Sequence, residues 1–321
     1  MRYCIIKKGM KILGISFGGR NGANDSMCKE ALMGAAEQGA EIKFVHILDW
    51  DIKNCTGCVA CSRSLTMGKG NVCSIKDDLE ELIELILEAD GIFISTPIFE
   101  KGATGLFHTL NDRLGPRADK GINMFAMKMA EEGHGKPINP AWIKDKVVSF
   151  LGIGGSDWST RVQTDTGMLA LPWAWKVIDN KCYSWSKNII MEDDKVAAVH
   201  QMGVDLANAA KDMEHAEYKG EKGMCPHCHC RNFYMIPDTN KAICCLCGIE
   251  GEMQLVDGKI EFVFPEEQLA HAHDTMSGKF IHAQDIQNNE MKNMENRKTD
   301  KYKEAVKRYE SFIEPVKPTK K

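Results

Sequence analysis

The sequence predicts an α/β protein: a doubly wound, five-stranded parallel sheet, followed by a small C-terminal β module and a helical tail. Three observations predict it. Five short apolar runs alternate with helix-like segments over the first two thirds of the chain, the pattern of a parallel sheet covered on both faces. Small-residue loops follow the first, third and fourth runs, and such sheets bind ligands at the C-terminal ends of their strands. Two CxxC pairs, fifteen residues apart, mark off a separate module.

Lys11 to Phe17 (KILGISF) reads as the first strand, and a glycine-rich stretch from Gly18 to Ser26 follows it. A helical pattern then runs to about Gln38, with Ala31, Leu32, Ala35 and Ala36 on one face and Gly39 as its stop. Glu41 to Ile47 is the second strand. Asp77 or Asp78 caps a helix whose Leu79, Leu82, Ile83 and Ile86 recur at i, i+3, i+4 and i+7. Gly91 to Pro97 is the third strand, and Val147 to Leu151 the fourth, opening into Gly152 to Ser156. Lys176 to Tyr183 is the fifth, before a helix from about Glu192 to Met213. The implied divisions are 10–217, 221–265 and a polar tail, 266–321, with one helical stretch near Lys301 to Phe312. That tail is expected to wrap a partner subunit or to be partly disordered.

The bulk numbers narrow the function classes. A length of 321 residues suits about two domains. No apolar run of roughly 18 residues predicts a membrane span. The N-terminal MRYCIIKKGMKILGIS has no small-residue cleavage site after its apolar stretch, so a signal peptide is not expected. A net charge of -4 without a basic stripe argues against nucleic-acid binding. The 13 cysteines are clustered, four from Cys55 to Cys73 and six from Cys225 to Cys247. Metal ligation in a reducing cytoplasm fits such CxxC clusters better than a secreted disulfide scaffold does. Cys4, Cys28 and Cys182 stand alone and read as buried thiols.

The loop after the first strand offers backbone amides, hydroxyls and Arg20 at a helix N-terminus, which suits a phosphate. It is not GxGxxG, so a single phosphate is expected rather than a dinucleotide. The stretches Ser16 to Ser26, Ser95-Thr96-Pro97-Ile98-Phe99 with Gly102 and Gly105, and Gly152 to Ser156 resemble the three flavin loops of the flavodoxin-like NADPH-dependent FMN reductase family. The resemblance covers about residues 10 to 215. It implies FMN, with Ser16, Arg20, Asn24 and Ser26 near the phosphate. Thr96, Pro97, Ile98, Phe99 and Gly102 would lie along the isoalloxazine edge, with Gly154 and Gly155 on its other side. Two features depart from the family pattern: Phe99 stands where a Tyr is usual, and Glu100-Lys101 replaces a small or aromatic pair.

Cys55, Cys58 and Cys61 form a CxxCxxC turn, and Cys73 completes a set of four that a [4Fe–4S] cluster would require. The segment resembles the cysteine motif of the iron-sulfur flavoproteins, with a longer gap before its last cysteine. Free thiols and another metal remain alternatives. Cys225, Cys228, Cys244 and Cys247 have the spacing of a four-thiolate structural site, and the flanking hairpin-like runs resemble a zinc ribbon. Asn232 to Ile236 pairs with Lys241 to Ile243 in that plan, and Glu252 to Phe264 forms a hairpin about Asp257-Gly258. Cys230 and Cys245 are surplus, and His227 and His229 are further potential ligands. Zinc and rubredoxin-type iron share this ligand set. Zinc is preferred, since the second knuckle lacks rubredoxin's proline.

Arg113 to Lys146, with Met124, Met127, Met129, His134 and Trp142, and Asp157 to Trp175, with Trp158, Trp173 and Trp175, wall either a substrate pocket or a dimer interface and core. His108, His134 and Arg161 are candidate polar contacts. The sequence thus predicts an FMN-dependent oxidoreductase, reduced by NAD(P)H or a carrier and passing electrons to a small organic or protein acceptor. A homodimer or homotetramer is expected. The rival reading is a redox-sensing or partner-docking flavoprotein whose cysteine sites are structural.

Overall fold

The computed structural model describes residues 9–319; the expectation for Cys4 lies outside the described residues. β1 (Lys11–Ser16) leads into α1 (Ala23–Glu37), β2 (Glu41–His46), the short α2 (Ala60–Thr66) and α3 (Leu79–Glu88). β3 (Gly91–Pro97) is followed by α4 (Gly105–Ala118) and α5 (Lys120–Glu131). Then come β4 (Val147–Ile153), α6 (Val162–Gly167), β5 (Lys176–Tyr183) and α7 (Asp193–Lys211). The five strands are parallel in the order β2-β1-β3-β4-β5, the flavodoxin-like arrangement. β4 runs two residues further than the sequence suggests. Its Gly152 and Ile153 stay paired with Cys182 and Tyr183, so small residues continue the ladder before the loop opens.

β1 and β3 are buried almost throughout, which is why they read as unbroken apolar runs rather than alternating ones. α1 and α7 cover one face, packing Met27, Ala31, Leu32 and Ala35 with Val199, Met202 and Leu206 on Ile12 and Phe93. α3 packs against β1, burying its Leu79, Leu82, Ile83 and Ile86. Two glycines let α1 and α7 come together. A Cβ on Gly203 would collide with the Ala31 carbonyl, and one on Gly34 with the His200 carbonyl. Cys28 lies fully buried in this layer, and burial pushes its thiol far above the ordinary range.

β6 (Phe233–Met235), β7 (Lys241–Cys244), β8 (Glu250–Val256) and β9 (Lys259–Val263) form an antiparallel sheet in sequence order, the ribbon expected from the hairpin signals. The chain divides into two compact units, one ending at Lys279 and the other beginning at Phe280.

One expectation needs correction. Among the described residues the tail carries not one α-helix but two, α8 (Met276–Lys298) and α9 (Asp300–Glu310). α8 is polar on nearly all sides, so it lacks the apolar stripe that announces a helix in sequence. Of the two readings left open for Trp142, Trp173 and Trp175, the structure shows core: they are buried and stack at centroid separations of 5.1 and 4.5 Å.

No helix among the described residues is long and apolar enough to cross a membrane. Because the α1–α7 contact leaves no room for a methyl group, Gly203→Ala is expected to lower stability by about 2 kcal/mol or more, as overpacked cores do. Chemical denaturation checks this; an unchanged midpoint would show that the helices separate at little cost.

Candidate functional site

Three loops meet at the C-terminal edge of the sheet. Gly22, the N-cap of α1, has no side chain to cap the first turn, and among the described residues no side-chain cap hydrogen bond replaces it. A 15-residue helix with an uncapped N-terminus, directly after β1, is a site where amides and helix dipole both favour an anion. Gly18 passes so close to Asn24 that a Cβ would lie 2.6 Å from the Asn24 Cβ. Asn21 N donates to Asp25 Oδ2 at 2.9 Å and Gly22 N to Gly19 O at 2.9 Å, closing the loop on itself. Ser16 is buried at the end of β1, with its Oγ 3.4 Å from Gly18 N, and Ser26 lies half-buried in the first turn of α1. Arg20 is turned elsewhere: it pairs with Asp49 after β2 and is exposed. These backbone groups, with Ser16, Asn24 and Ser26, fit the phosphate of a mononucleotide.

Asn24 joins this loop to the next, because Ser95 Oγ donates to its Oδ1 at 2.8 Å, and Phe17 N donates to Ser95 O at 2.8 Å. Thr96 is buried and its Oγ1 accepts from Thr104 N at 3.4 Å, while Pro97 is half-buried. Ile98 N donates to Ile153 O at 3.1 Å, and Ile98 also lies against Gly154. Phe99 and Gly102 exchange two backbone hydrogen bonds, 3.0 and 2.9 Å, about Glu100 and Lys101, whose φ angles are 48° and 70°. Two non-glycine residues held left-handed at the centre of a tight turn are costly and concentrate at functional sites. Gly155 packs under the Lys187 side chain.

The rim of this edge is aromatic. Phe99, Trp158 and Trp185, one on each loop after β3, β4 and β5, are 65%, 60% and 70% exposed, and Lys101 Nζ lies 5.2 Å from the Trp158 ring centre. Sequence reasoning picked out Phe99 and Trp158 but not Trp185. Nothing in the pattern signals it, since a lone aromatic after a strand is common. His108 and Asp165 approach to 3.4 Å, Arg161 Nε lies 3.4 Å from Asp165, and Ala103 N donates to Asp165 at 3.1 Å. Asp165 carried no sequence signal. His134 is exposed on the turn after α5, away from these groups in the chain, and its carbonyl instead lies against Gly68.

The first cysteine loop is open. Cys55 and Cys58 are exposed, while Cys61, in α2, and Cys73 are half-buried. Cys73 Sγ accepts from Arg113 Nη2 at 3.6 Å. Behind it Arg113 is buried on Asp77, and Arg117 is buried on Glu80 and Asn71. Ser74 and the Ala60 amide hydrogen-bond the Cys58 sulfur and lower its thiol to about 7. Burial pushes Cys61 upward, helped by the nearby Cys73.

The C-terminal cysteines converge. The sulfurs of Cys225, Cys228, Cys244 and Cys247 all lie within 4.8 Å of one another, with Cys225–Cys247 at 3.8 Å and Cys228–Cys244 at 3.5 Å. Tetrahedral metal–sulfur bonds of about 2.3 Å place sulfurs roughly 3.8 Å apart, so the set fits an S4 ion. The two knuckles are equivalent. His229 N donates to Cys225 O and Gly248 N to Cys244 O, while Cys225 N and Cys244 N donate to Cys230 O and Ile249 O. The residue after each second cysteine is left-handed, Gly248 at φ 80° and His229 at 59°. His229 stacks on Tyr218 at 4.0 Å and His227 pairs with Asp274 at 2.8 Å, so both are engaged outside the sulfur set. Cys230 is buried beside it on Thr164, at 3.4 Å, and Cys245 is exposed.

A 2-1-3-4-5 parallel sheet with an uncapped helix and three small-residue loops at its C-terminal edge defines a flavodoxin-like FMN oxidoreductase. The model of the NADPH-dependent FMN reductase family matches residues 10–179, more than half of the chain, and the chain belongs to that family. It is similar to a flavone reductase of solved structure, 52% identical, with a TM-score of 0.87 over 96% of this chain and all of that one. It is 26% identical over 296 residues to a flavone synthase of Aspergillus candidus, covering 87% of this chain and 89% of the relative. It is 35% identical over 108 residues to an iron-sulfur flavoprotein of Methanocaldococcus jannaschii, covering 33% of this chain and 53% of the relative.

Cys228→Ser and Cys244→Ser are each expected to remove a metal ion present at about one per chain, and to lower the melting temperature, since ligation is folding energy in such modules. Elemental analysis with calorimetry checks this; a metal-free wild-type protein that melts at the same temperature would contradict it.

Proposed function

We propose that this enzyme reduces the conjugated carbon–carbon double bond of a flavone-type ketone with electrons from NADPH or NADH. The observation that carries this reading is likeness along almost the whole chain to a flavone reductase, joined by a second long match to a flavone synthase. Both relatives have a flavone on one side of a redox step. The aromatic rim of Phe99, Trp158 and Trp185 suits a planar, polyaromatic acceptor.

A bound FMN would supply hydride chemistry between a nicotinamide and the acceptor, for which no protein acid or base is required. The chain's own residues do the rest. The N-terminus of α1, with Ser16, Asn24 and Ser26, holds the phosphate. Thr96, Pro97 and Ile98 line the β3 side, and Gly154 and Gly155 leave space on the β4 side. Phe99, without a hydroxyl, contributes an apolar edge that keeps water from the reacting face. In the ribbon, zinc bound by Cys225, Cys228, Cys244 and Cys247 serves as a structural ion.

A second reading concerns Cys55, Cys58, Cys61 and Cys73. Arg113, held on Asp77, donates to Cys73 Sγ at 3.6 Å, a contact that would support a thiolate ligand of a four-thiolate [4Fe–4S] cluster. In this reading the cluster relays single electrons to a protein acceptor.

Anaerobic mixing of the purified protein with NADPH or NADH and a flavone is expected to yield the 2,3-saturated product, resolved by mass spectrometry. Nicotinamide oxidation that reduces only oxygen or quinones would overturn the substrate assignment. Iron and acid-labile sulfide measured on anaerobically purified protein separates the cysteine readings. About four of each per chain supports the cluster, whereas zinc and FMN without sulfide leaves Cys55 to Cys73 as a structural loop.

A further inference from the structure

We infer that Arg161 and His108, both gathered on the Asp165 carboxylate, form the anchor for the acceptor's carbonyl oxygen. This rests on the conjugated-ketone reading above.

The three side chains come from two elements that flank the β3 turn. His108 is in the first turn of α4, Asp165 in α6, and Arg161 immediately precedes α6. Asp165 is the inner member: its side chain is 12% exposed, against 58% for Arg161 and 41% for His108. One carboxylate oxygen receives the Ala103 amide at 3.1 Å and faces His108 Nε2 and Arg161 Nε, each at 3.4 Å. Arg161 N also donates to Lys101 O at 2.9 Å. A Cβ on Gly102 would collide with the Asp165 carboxylate and lie 2.9 Å from Arg161 Nη2, so only glycine lets the turn sit this close. The cluster is therefore fixed to the loop expected to line the isoalloxazine edge.

Its hydrogen-bonding capacity is unbalanced. A guanidinium carries five N–H donors in a planar fork, and Asp165 engages only one edge of it. The Arg161 and His108 side chains are largely exposed, and the remaining Arg161 donors have no hydrogen-bond acceptor among the described residues; a fitting ligand for them is an oxygen that gains negative charge.

A conjugated ketone supplies such an oxygen. Hydride adds to the β-carbon, the C=C π bond breaks, and its electron pair moves through the chain of π bonds to leave an enolate on the carbonyl oxygen. The α-carbon then takes a proton from water, restoring the C=O. Two C–H bonds form, and both electrons come from the nicotinamide by way of the flavin. Charge that develops on the oxygen only during transfer is what preorganised donors stabilise. Asp165 is a positioning residue here, holding Arg161 and His108 in place.

The test uses the holoenzyme, reduced anaerobically with dithionite and mixed in a stopped-flow with either a flavone or ferricyanide, which accepts electrons without forming an enolate. Arg161→Met is expected to lower the flavone rate relative to the ferricyanide rate by about 10²-fold, the scale of one lost oxyanion donor. His108→Gln should lower it by roughly 10-fold, and Arg161→Lys should recover part of the loss. Flavone binding to the oxidised holoenzyme, read by quenching of flavin fluorescence, should weaken by less than about 5-fold, because the ground-state carbonyl carries little charge. Equal losses with both acceptors, or a flavone rate unchanged by Arg161→Met, would overturn the anchor. Reduced wild-type enzyme that flavone does not reoxidise would overturn the conjugated-ketone reading, and the anchor with it.

Discussion

The parallel pairing of β1 with β3 sets the C-terminal edge on which everything else depends. It lays Ser16 beside Ser95, lets Phe17 N reach Ser95 O, and brings the Ser95 hydroxyl onto Asn24. Asn24 lies in the first turn of α1, so one buried side-chain hydrogen bond links the glycine-rich loop to β3. A slip of that register would separate the two halves of the candidate site. The sheet resists a slip because β1 and β3 are buried almost throughout, so a shift displaces apolar side chains from packed positions. Close approach of α1 to α7 through Gly34 and Gly203 then fixes the axis along which the helix N-terminus points.

The two cysteine groups are similar in spacing and different in structure. The C-terminal four meet as two equivalent knuckles with sulfurs at metal-site separations, whereas Cys55 and Cys58 remain exposed on an open loop beside two buried arginines. The ribbon also reaches the site. Thr164 bonds Asn232 at 2.5 Å and Gly167 packs under Leu246, while the intervening Asp165 faces Arg161 and His108. A metal bound at the four sulfurs would thereby steady α6 and the Asp165 it carries.

The strands were legible because parallel strands buried on both faces leave dense apolar runs, and the ribbon because CxxC spacing is rigid chemistry. The glycine-rich loop after β1 was legible from its glycine content next to a strand. Other features depend on partners far away in sequence. Arg20 turns to Asp49, and His227 leaves the sulfur set for Asp274. The tryptophans at 142, 173 and 175 find one another in the core, although their exposed neighbour Trp158 gives the same local signal. α8 was missed because a polar helix has no stripe, and Asp165 because nothing in sequence places it beside Gly102.

The central claim is that the uncapped α1 N-terminus selects a flavin monophosphate. Titrating flavin-free protein with FMN and with riboflavin, followed by flavin fluorescence, tests it directly. FMN should bind at least about 10²-fold more tightly than riboflavin, since only FMN carries an anion for the helix amides. Equal affinity for the two would show that the ring alone is held and would contradict the assignment of this loop.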